Sequence, residues 1–245
     1  MEKIKKIKKL LKIFNLDGYI VPKNNNFFGE YVPASDDNLK YISNFTGSAG
    51  FAIILKNKNY IFVDGRYTIQ ADIQCGDQFQ VCTIPKEYPV SIFKNKNLNL
   101  GFDPKLHTED SLNRLFDNTF INLRAVNENL IDLIWKRKKK LNTKPFYIIK
   151  DKDAGSKVEQ KLSRLVKLTK FNKADYLFTS ASENVAWLLN IRGTDINYSP
   201  LPNSHAIIDK NGKVFLFCDL KKINKSFKSK INKAVKIYDF NLLTK

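Results

Sequence analysis

Phe51-Ala52-Ile53-Ile54-Leu55-Lys56-Asn57-Lys58-Asn59-Tyr60-Ile61-Phe62-Val63 is two apolar runs parted by a short turn rich in Asn and Lys. β-Branched and aromatic residues fill each run, which predicts two strands folding back on one another as a hairpin. The figure returns near the other end of the chain. There His205-Ala206-Ile207-Ile208 turns at Asn211-Gly212 into Val214-Phe215-Leu216-Phe217, and Asn-Gly between apolar runs is a strong hairpin signal because both residues tolerate positive φ.

Working outward, the same series of elements leads into both hairpins. A short helix with an aromatic and a closing Gly is expected at Asn38 to Gly47 and again at Asn184 to Gly193. Before it comes a short strand, Gly18-Tyr19-Ile20-Val21 in one half and Asp175-Tyr176-Leu177-Phe178 in the other. Each half begins with a helix. The first, Glu2 to Asn15, carries Ile4, Ile7, Leu11 and Phe14 at steps of three and four. The second, Gly155 to Phe171, carries Val158, Leu162, Leu165, Val166 and Leu168. Beyond its hairpin the first half continues with a helix near Tyr67 to Ile73 and strands near Phe79 to Thr83 and Leu98 to Phe102. A further helix is opened by Thr108, placed as an N-cap ahead of Glu109 and Asp110. The chain therefore reads as two related α/β domains in tandem, residues 1–136 and 146–245, joined by a charged, proline-ended linker at 137–145.

Of the 245 residues 43% are hydrophobic, enough for two cores, and the formal net charge is +18. Charge that lopsided suggests nucleic acid, but only six of the 42 basic residues are Arg. Arg is the residue that reads phosphate and guanine bidentately. The Lys, Asn, Ile and Phe enrichment follows AT-rich codons, so the charge is read as compositional background and nucleic acid is not the expected partner. The basic helix at the start lacks an uninterrupted apolar stretch and a cleavage site, and no apolar run approaches the roughly 20 residues that span a bilayer. A cytoplasmic protein is expected, with Cys75, Cys82 and Cys218 reduced and buried.

Motifs for chemistry are few. The two His, His107 and His205, fall in different halves, and there is no HExxH and no CxxC pair. Gly47-Ser48-Ala49-Gly50 lacks the pattern of a nucleophile elbow, and no phosphate-binding glycine loop occurs. No catalytic residue and no metal ligand is assigned. Two polar clusters remain, Asp64-Gly65-Arg66-Tyr67 and Arg192-Gly193-Thr194-Asp195. An ion pair holding a loop accounts for Arg192 and Asp195 at least as well as a functional role. Arg66, at the end of a strand, could hold a carboxylate or a peptide carbonyl.

Glu30-Tyr31-Val32-Pro33-Ala34, Phe45-Thr46-Gly47-Ser48-Ala49-Gly50 and Val63-Asp64-Gly65-Arg66-Tyr67 resemble the N-terminal domain of the Xaa-Pro aminopeptidases (aminopeptidase P) of the creatinase/prolidase-type metallopeptidase family. Asn127 to Trp135 looks like the segment ending that domain, and Ala186 to Asp195 like the hallmark of the second. The resemblance covers nearly the whole chain. It implies two tandem creatinase N-terminal-like α/β domains, each a mixed β-sheet flanked by helices, the second one complete or trimmed. In the family a pita-bread catalytic domain follows, with two divalent metal ions, usually manganese, and no segment here matches it. The resemblance implies the non-catalytic N-terminal region of an enzyme that removes the residue preceding proline and acts as a homodimer. It gives Arg66 a substrate-binding role toward Xaa-Pro peptides and leaves Asp64, Arg192 and Asp195 as structural or interface residues. The alternative reading is a stand-alone basic binding or scaffold module.

Overall fold

A computed structural model describes residues 2–137 and 142–243. They divide into two compact units, residues 2–25 with 34–137, and residues 26–33 with 142–243. The lysine-rich centre of the expected linker, residues 138–141, lies outside the described residues.

Unit 1 runs α1 (Glu2–Ile13), β1 (Gly18–Pro22), α2 (Asn38–Ser43), β2 (Gly50–Leu55), β3 (Asn59–Asp64), α3 (Thr68–Cys75), β4 (Gln80–Ile84), α4 (Pro89–Phe93), β5 (Leu98–Phe102), α5 (Glu109–Phe116) and β6 (Ile121–Ala125). Its six strands form one mixed sheet in the order β4-β3-β2-β1-β5-β6. The predicted hairpin is its centre: β1, β2 and β3 pair antiparallel, and β4, β5 and β6 add in parallel. Because side chains alternate across a strand, each face has its own core. Tyr19, Val21, Ala52, Ile54, Ile61 and Val63 pack with Ile4, Ile7 and Leu11 of α1 and Leu39 and Ile42 of α2. Ile20, Ile53, Tyr60 and Phe62 pack with Phe93, Leu112, Leu115 and Phe116 of α4 and α5. The stripe of α1 is thus spent on the sheet, while Lys5, Lys6 and Lys9 face solvent. Thr108 caps α5 through a reciprocal pair, its Oγ1 accepting from Ser111 N and Ser111 Oγ accepting from Thr108 N.

Unit 2 runs β7 (Tyr147–Ile148), α6 (Asp151–Ala154), α7 (Val158–Phe171), β8 (Tyr176–Thr179), α8 (Ser182–Leu189), β9 (Ile191–Arg192), β10 (Ser204–Asp209), β11 (Val214–Cys218), α9 (Lys225–Lys230) and β12 (Val235–Asp239). Its four-stranded sheet has the order β12-β11-β10-β8, and β7 pairs with β9 in a small ribbon. The larger sheet repeats the first four strands of unit 1 in order and direction: β8, β10 and β11 are antiparallel neighbours and β12 joins β11 in parallel. Tyr19 opposes Ile54 as Leu177 opposes Ile208, so the correspondence of the first strands is one residue off the expected pairing of Tyr19 with Tyr176. Leu177, Ala206, Ile208, Val214, Leu216 and Cys218 pack on Val158 and Leu162 of α7 and on Val185, Leu188 and Leu189 of α8. Leu168, expected on the apolar stripe of α7, is exposed, whereas Lys161 is buried.

Other expectations are corrected by local chemistry. The two short helices are closed by Asn44 (φ 66°) and Asn190 (φ 53°), not by Gly47 and Gly193. Asn reaches the left-handed region because its side chain bonds locally. Residues 26–33, expected within the first domain, belong to unit 2, where the Phe27 ring stacks on His205 with centroids 4.9 Å apart. Arg137, expected in the linker, is tied to unit 1: it donates to Ser35 O and Asn38 Oδ1, each at 2.7 Å, pairs with Asp132, and lies over the Trp135 ring.

Candidate functional site

β3 delivers Asp64 to the end of the unit 1 sheet, where a tight turn, Gly65–Tyr67, leads into α3. Asp64 Oδ1 caps that turn by accepting from Arg66 N at 2.9 Å, and the same oxygen accepts from Arg66 Nε at 2.8 Å. The Arg66 side chain hydrogen bond, then the backbone one, hold the Asp64 carboxyl below the ordinary carboxylate range. The contact fixes the guanidinium by its Nε edge, with Nη2 3.5 Å from Asp64 Oδ2. Its remaining N–H groups meet no acceptor among the described residues, and the side chain is 73% exposed. A guanidinium oriented on one edge and open on the other is suited to a planar acceptor such as a carboxylate or a peptide carbonyl.

The stretch Phe45 to Gly50 converges on the same place. Ser48 Oγ and Tyr67 Oη lie 2.7 Å apart, and the Tyr67 ring stands edge-on to Phe45, 5.9 Å between centroids. Gly47 is required there because a Cβ would fall 2.2 Å from Phe45 Cζ. The Arg66 guanidinium lies 5.5 Å from the Tyr67 ring centroid, within cation–π reach. Beside them Thr46 is interlocked with α3: Gln74 Oε1 accepts from Thr46 N at 2.8 Å, and Thr46 Oγ1 accepts from Gln70 Nε2 and Gln74 Nε2, both at 2.8 Å. Sequence reasoning set Ser48 aside as a nucleophile and did not single out Gln70 and Gln74. The i,i+4 pair of glutamines beside the exposed Ile69 and Ile73 is the signal that marks this face of α3.

Arg192 and Asp195 lie in unit 2 and do not pair with each other. Arg192 Nη1 donates to Ala186 O at 3.0 Å and Ile191 O at 2.9 Å, holding the end of α8. Asp195 takes its ion pair from Lys222, and its Oδ2 accepts from Asn203 N at 2.7 Å. Asp195 is therefore a buried anchor for its loop. The repeat also supplies a counterpart to the Arg66 turn. Ala52 opposes Ile61 as Ala206 opposes Leu216, which matches Asp64 with Asp219 and Arg66 with Lys221. Asp219 Oδ1 caps its turn through Lys221 N at 3.0 Å, so the cap is retained in unit 2 while the guanidinium is not.

Burial pushes the Cys75 and Cys82 thiols up to about 11 and Cys218 to about 12, which opposes thiolate chemistry. His107 is half-buried with its enclosed Nε2 unpartnered, and it is pushed down to about 4 by desolvation. His205 Nδ1 lies 3.1 Å from Ser180 O, so the nitrogen donates to that carbonyl. No group of three or more His, Cys, Asp or Glu among the described residues could hold a metal ion. No helix among them is long and apolar enough to cross a membrane.

Comparison with known proteins agrees with the tandem repeat. The family model for the creatinase/prolidase N-terminal domain matches residues 3–130, and a second model of the same description matches residues 137–244. The chain is 33% identical over 222 residues to aminopeptidase P1 of Lotus japonicus, covering 87% of this chain and 33% of that protein. To Xaa-Pro aminopeptidase 1 of Dictyostelium discoideum it is 29% identical, covering 98% and 41%. It superposes with a TM-score of 0.88 and 25% identity on the crystal structure of X-prolyl aminopeptidase from Caenorhabditis elegans, described as a cytosolic enzyme with a di-nuclear active site, over 98% of this chain and 42% of that one. The chain thus spans about a third to two-fifths of the length of these relatives, and its own described residues do not fit a di-nuclear metal site. Two tandem sheets that share one four-stranded core, matched in turn by these models, place the chain in the creatinase/prolidase N-terminal domain family.

Proposed function

We propose that this chain is the non-catalytic N-terminal region of a metal-dependent Xaa-Pro aminopeptidase, and that Arg66 binds the peptide. The observation that carries the reading is the guanidinium clamped by Asp64 on its Nε edge and open on the other, beside the Ser48–Tyr67 contact. In this reading Arg66 donates to a carbonyl or carboxylate of the peptide and positions it. Hydrolysis belongs to a catalytic region outside these residues, whose two divalent metal ions, manganese by resemblance, would activate water. The assembly is a cytoplasmic homodimer. Asp64 orients Arg66 and takes no part in chemistry.

The test is peptide association with the purified chain, followed by NMR with a short Xaa-Pro peptide. Arg66→Ala removes a charge-assisted hydrogen bond worth about 1.5–3 kcal/mol, roughly 10- to 150-fold in affinity. Unchanged binding in that variant contradicts the role given to Arg66.

A further inference from the structure

α7 presents two faces of different character. Val158, Leu162 and Leu165 carry its core face, with Thr169 buried in line with them. On the other side Arg164, Lys167, Leu168 and Phe171 stand three and four residues apart, so they share one outer face. Leu168 is 57% exposed and Phe171 84%, and Arg164 and Lys167 are exposed beside them. Lys170 and Lys173, also exposed, flank this face at its C-terminal end. The last turn is fixed: Leu168 O accepts from Asn172 N at 3.0 Å and from Asn172 Nδ2 at 2.8 Å, and Thr169 O accepts from Ala174 N at 3.0 Å. Phe171 is therefore held outward by helix geometry and not by a frayed end.

The charges on this face are uncompensated. None of Arg164, Lys167, Lys170 and Lys173 has a carboxylate within ion-pair distance among the described residues. The acids nearest in sequence are engaged elsewhere: Glu159 accepts from Asn232 Nδ2 at 2.5 Å, and Asp175 pairs with Lys210 at 2.7 Å. Composition explains scattered lysines, but not two large apolar side chains left in water among four cations. α1 is the contrast, since it is the more basic helix and its apolar stripe is spent on the sheet.

A helix that sets apolar side chains among cations suits an interface where hydrocarbon lies directly beneath negative charge. Nucleic acid would supply the charge but no apolar medium for an aliphatic side chain such as Leu168. We propose that the outer face of α7 docks unit 2 on an anionic lipid surface. Leu168 and Phe171 enter the boundary between headgroups and acyl chains, and Arg164, Lys167, Lys170 and Lys173 meet the lipid phosphates and carboxylates, their long stems keeping the charges at headgroup level. Each cation near such a surface raises partitioning about fivefold, so the association is reversible and weakens with salt.

The test uses the whole chain and vesicles of phosphatidylcholine, with and without phosphatidylserine. Co-sedimentation is expected with the phosphatidylserine vesicles and not with phosphatidylcholine alone. Trp135→Phe and Trp187→Phe remove both tryptophans, and Phe171→Trp then places a single reporter on the face, whose emission is expected to shift to the blue on the same vesicles. Leu168→Ser with Phe171→Ser is expected to lower partitioning on the order of tenfold, and Lys167→Gln with Lys170→Gln about 25-fold. Lys225→Gln with Lys228→Gln, which takes the same charge from α9, is expected to leave it nearly unchanged. All six positions are exposed, so the circular dichroism spectrum stays the same. Absence of binding to phosphatidylserine vesicles would overturn the proposal. So would binding that is indifferent to Leu168 and Phe171, or lost equally with the α9 lysines, since either is adsorption of a chain of net charge +18. Tighter binding to a single-stranded oligonucleotide through the same residues would overturn it in favour of nucleic acid. No peptide or cleavage enters the readout, so failure here leaves the peptidase reading standing.

Discussion

Replacing Asp195 by Asn removes the carboxylate from a pair in which the side chains are 2% and 10% exposed for Asp195 and Lys222. The Lys222 ammonium then stays buried against a neutral amide, with the Phe146 ring centroid at 5.7 Å and no anion to balance its charge. Breaking one partner of a buried pair costs about 3–5 kcal/mol, because the remaining charge is neither solvated nor neutralised. For a unit of roughly 100 residues, that cost lowers the midpoint of unfolding by about 15–25 °C. With Trp135→Phe in the background, Trp187 of α8 becomes the only tryptophan and reports unit 2 alone. Thermal and urea melts of Asp195→Asn, Lys222→Met and the double variant form a cycle. The double variant is expected to recover most of the loss, since a neutral pair of similar volume is tolerated where a lone charge is not. A loss below about 1 kcal/mol in Asp195→Asn, or a double variant no better than the worse single one, would refute the account of Asp195 as a buried anchor.

Three further outcomes follow from unit 1 and from the cysteines. Folded His107 binds its proton only near pH 4, whereas the unfolded residue titrates near its ordinary 6.5. The unfolded state therefore takes up more protons between those values, and His107 withdraws about 3 kcal/mol of stability as pH falls across that window. The contribution is complete above 6.5, and His107→Leu is expected to flatten this acid limb in urea melts at stepped pH. Gly47→Ala places a methyl where Phe45 Cζ now sits 2.2 Å away, and is expected to cost about 1–3 kcal/mol in thermal melts and to disturb the Ser48–Tyr67 contact. The three thiols, raised by burial to about 11 or 12, are expected to react with a thiol reagent at pH 8 only at the rate of unfolding, which stopped-flow labelling measures.

Much of the fold was legible because its signals are local. Alternating apolar runs around Asn57 to Asn59 and Asn211-Gly212 mark hairpins wherever they occur, and the 3.6-residue stripe of α1 needs no partner to be seen. β6 was missed because only Ile121 and Leu123 of its five residues are even half-buried, so it carries no run of apolar residues. β7 and β9 are two residues each, too short for any period. The assignment of residues 26–33 to unit 2 rests on Phe27 meeting His205, 178 positions away, which no window of sequence can show. The candidate site divides in the same way. Arg66 stood out as one of six arginines in a lysine-rich chain and its capping Asp64 is two residues distant, so both were visible. Ser48 and Gln74 reach the site only through the turn of the sheet. The pairing of Arg192 with Asp195 failed as an expectation because proximity in sequence favoured it, whereas folding brings Lys222 to that carboxylate from 27 residues away.

The central claim is that these two units bind an Xaa-Pro peptide through Arg66 and do not themselves hydrolyse it. The direct measurement is incubation of the purified chain with manganese and an Xaa-Pro-Pro peptide, following both association and release of the first residue. Association lost in Arg66→Ala, with no release at any enzyme concentration, is the predicted result. Release of the first residue by the pure chain would contradict it, and so would association that is indifferent to Arg66.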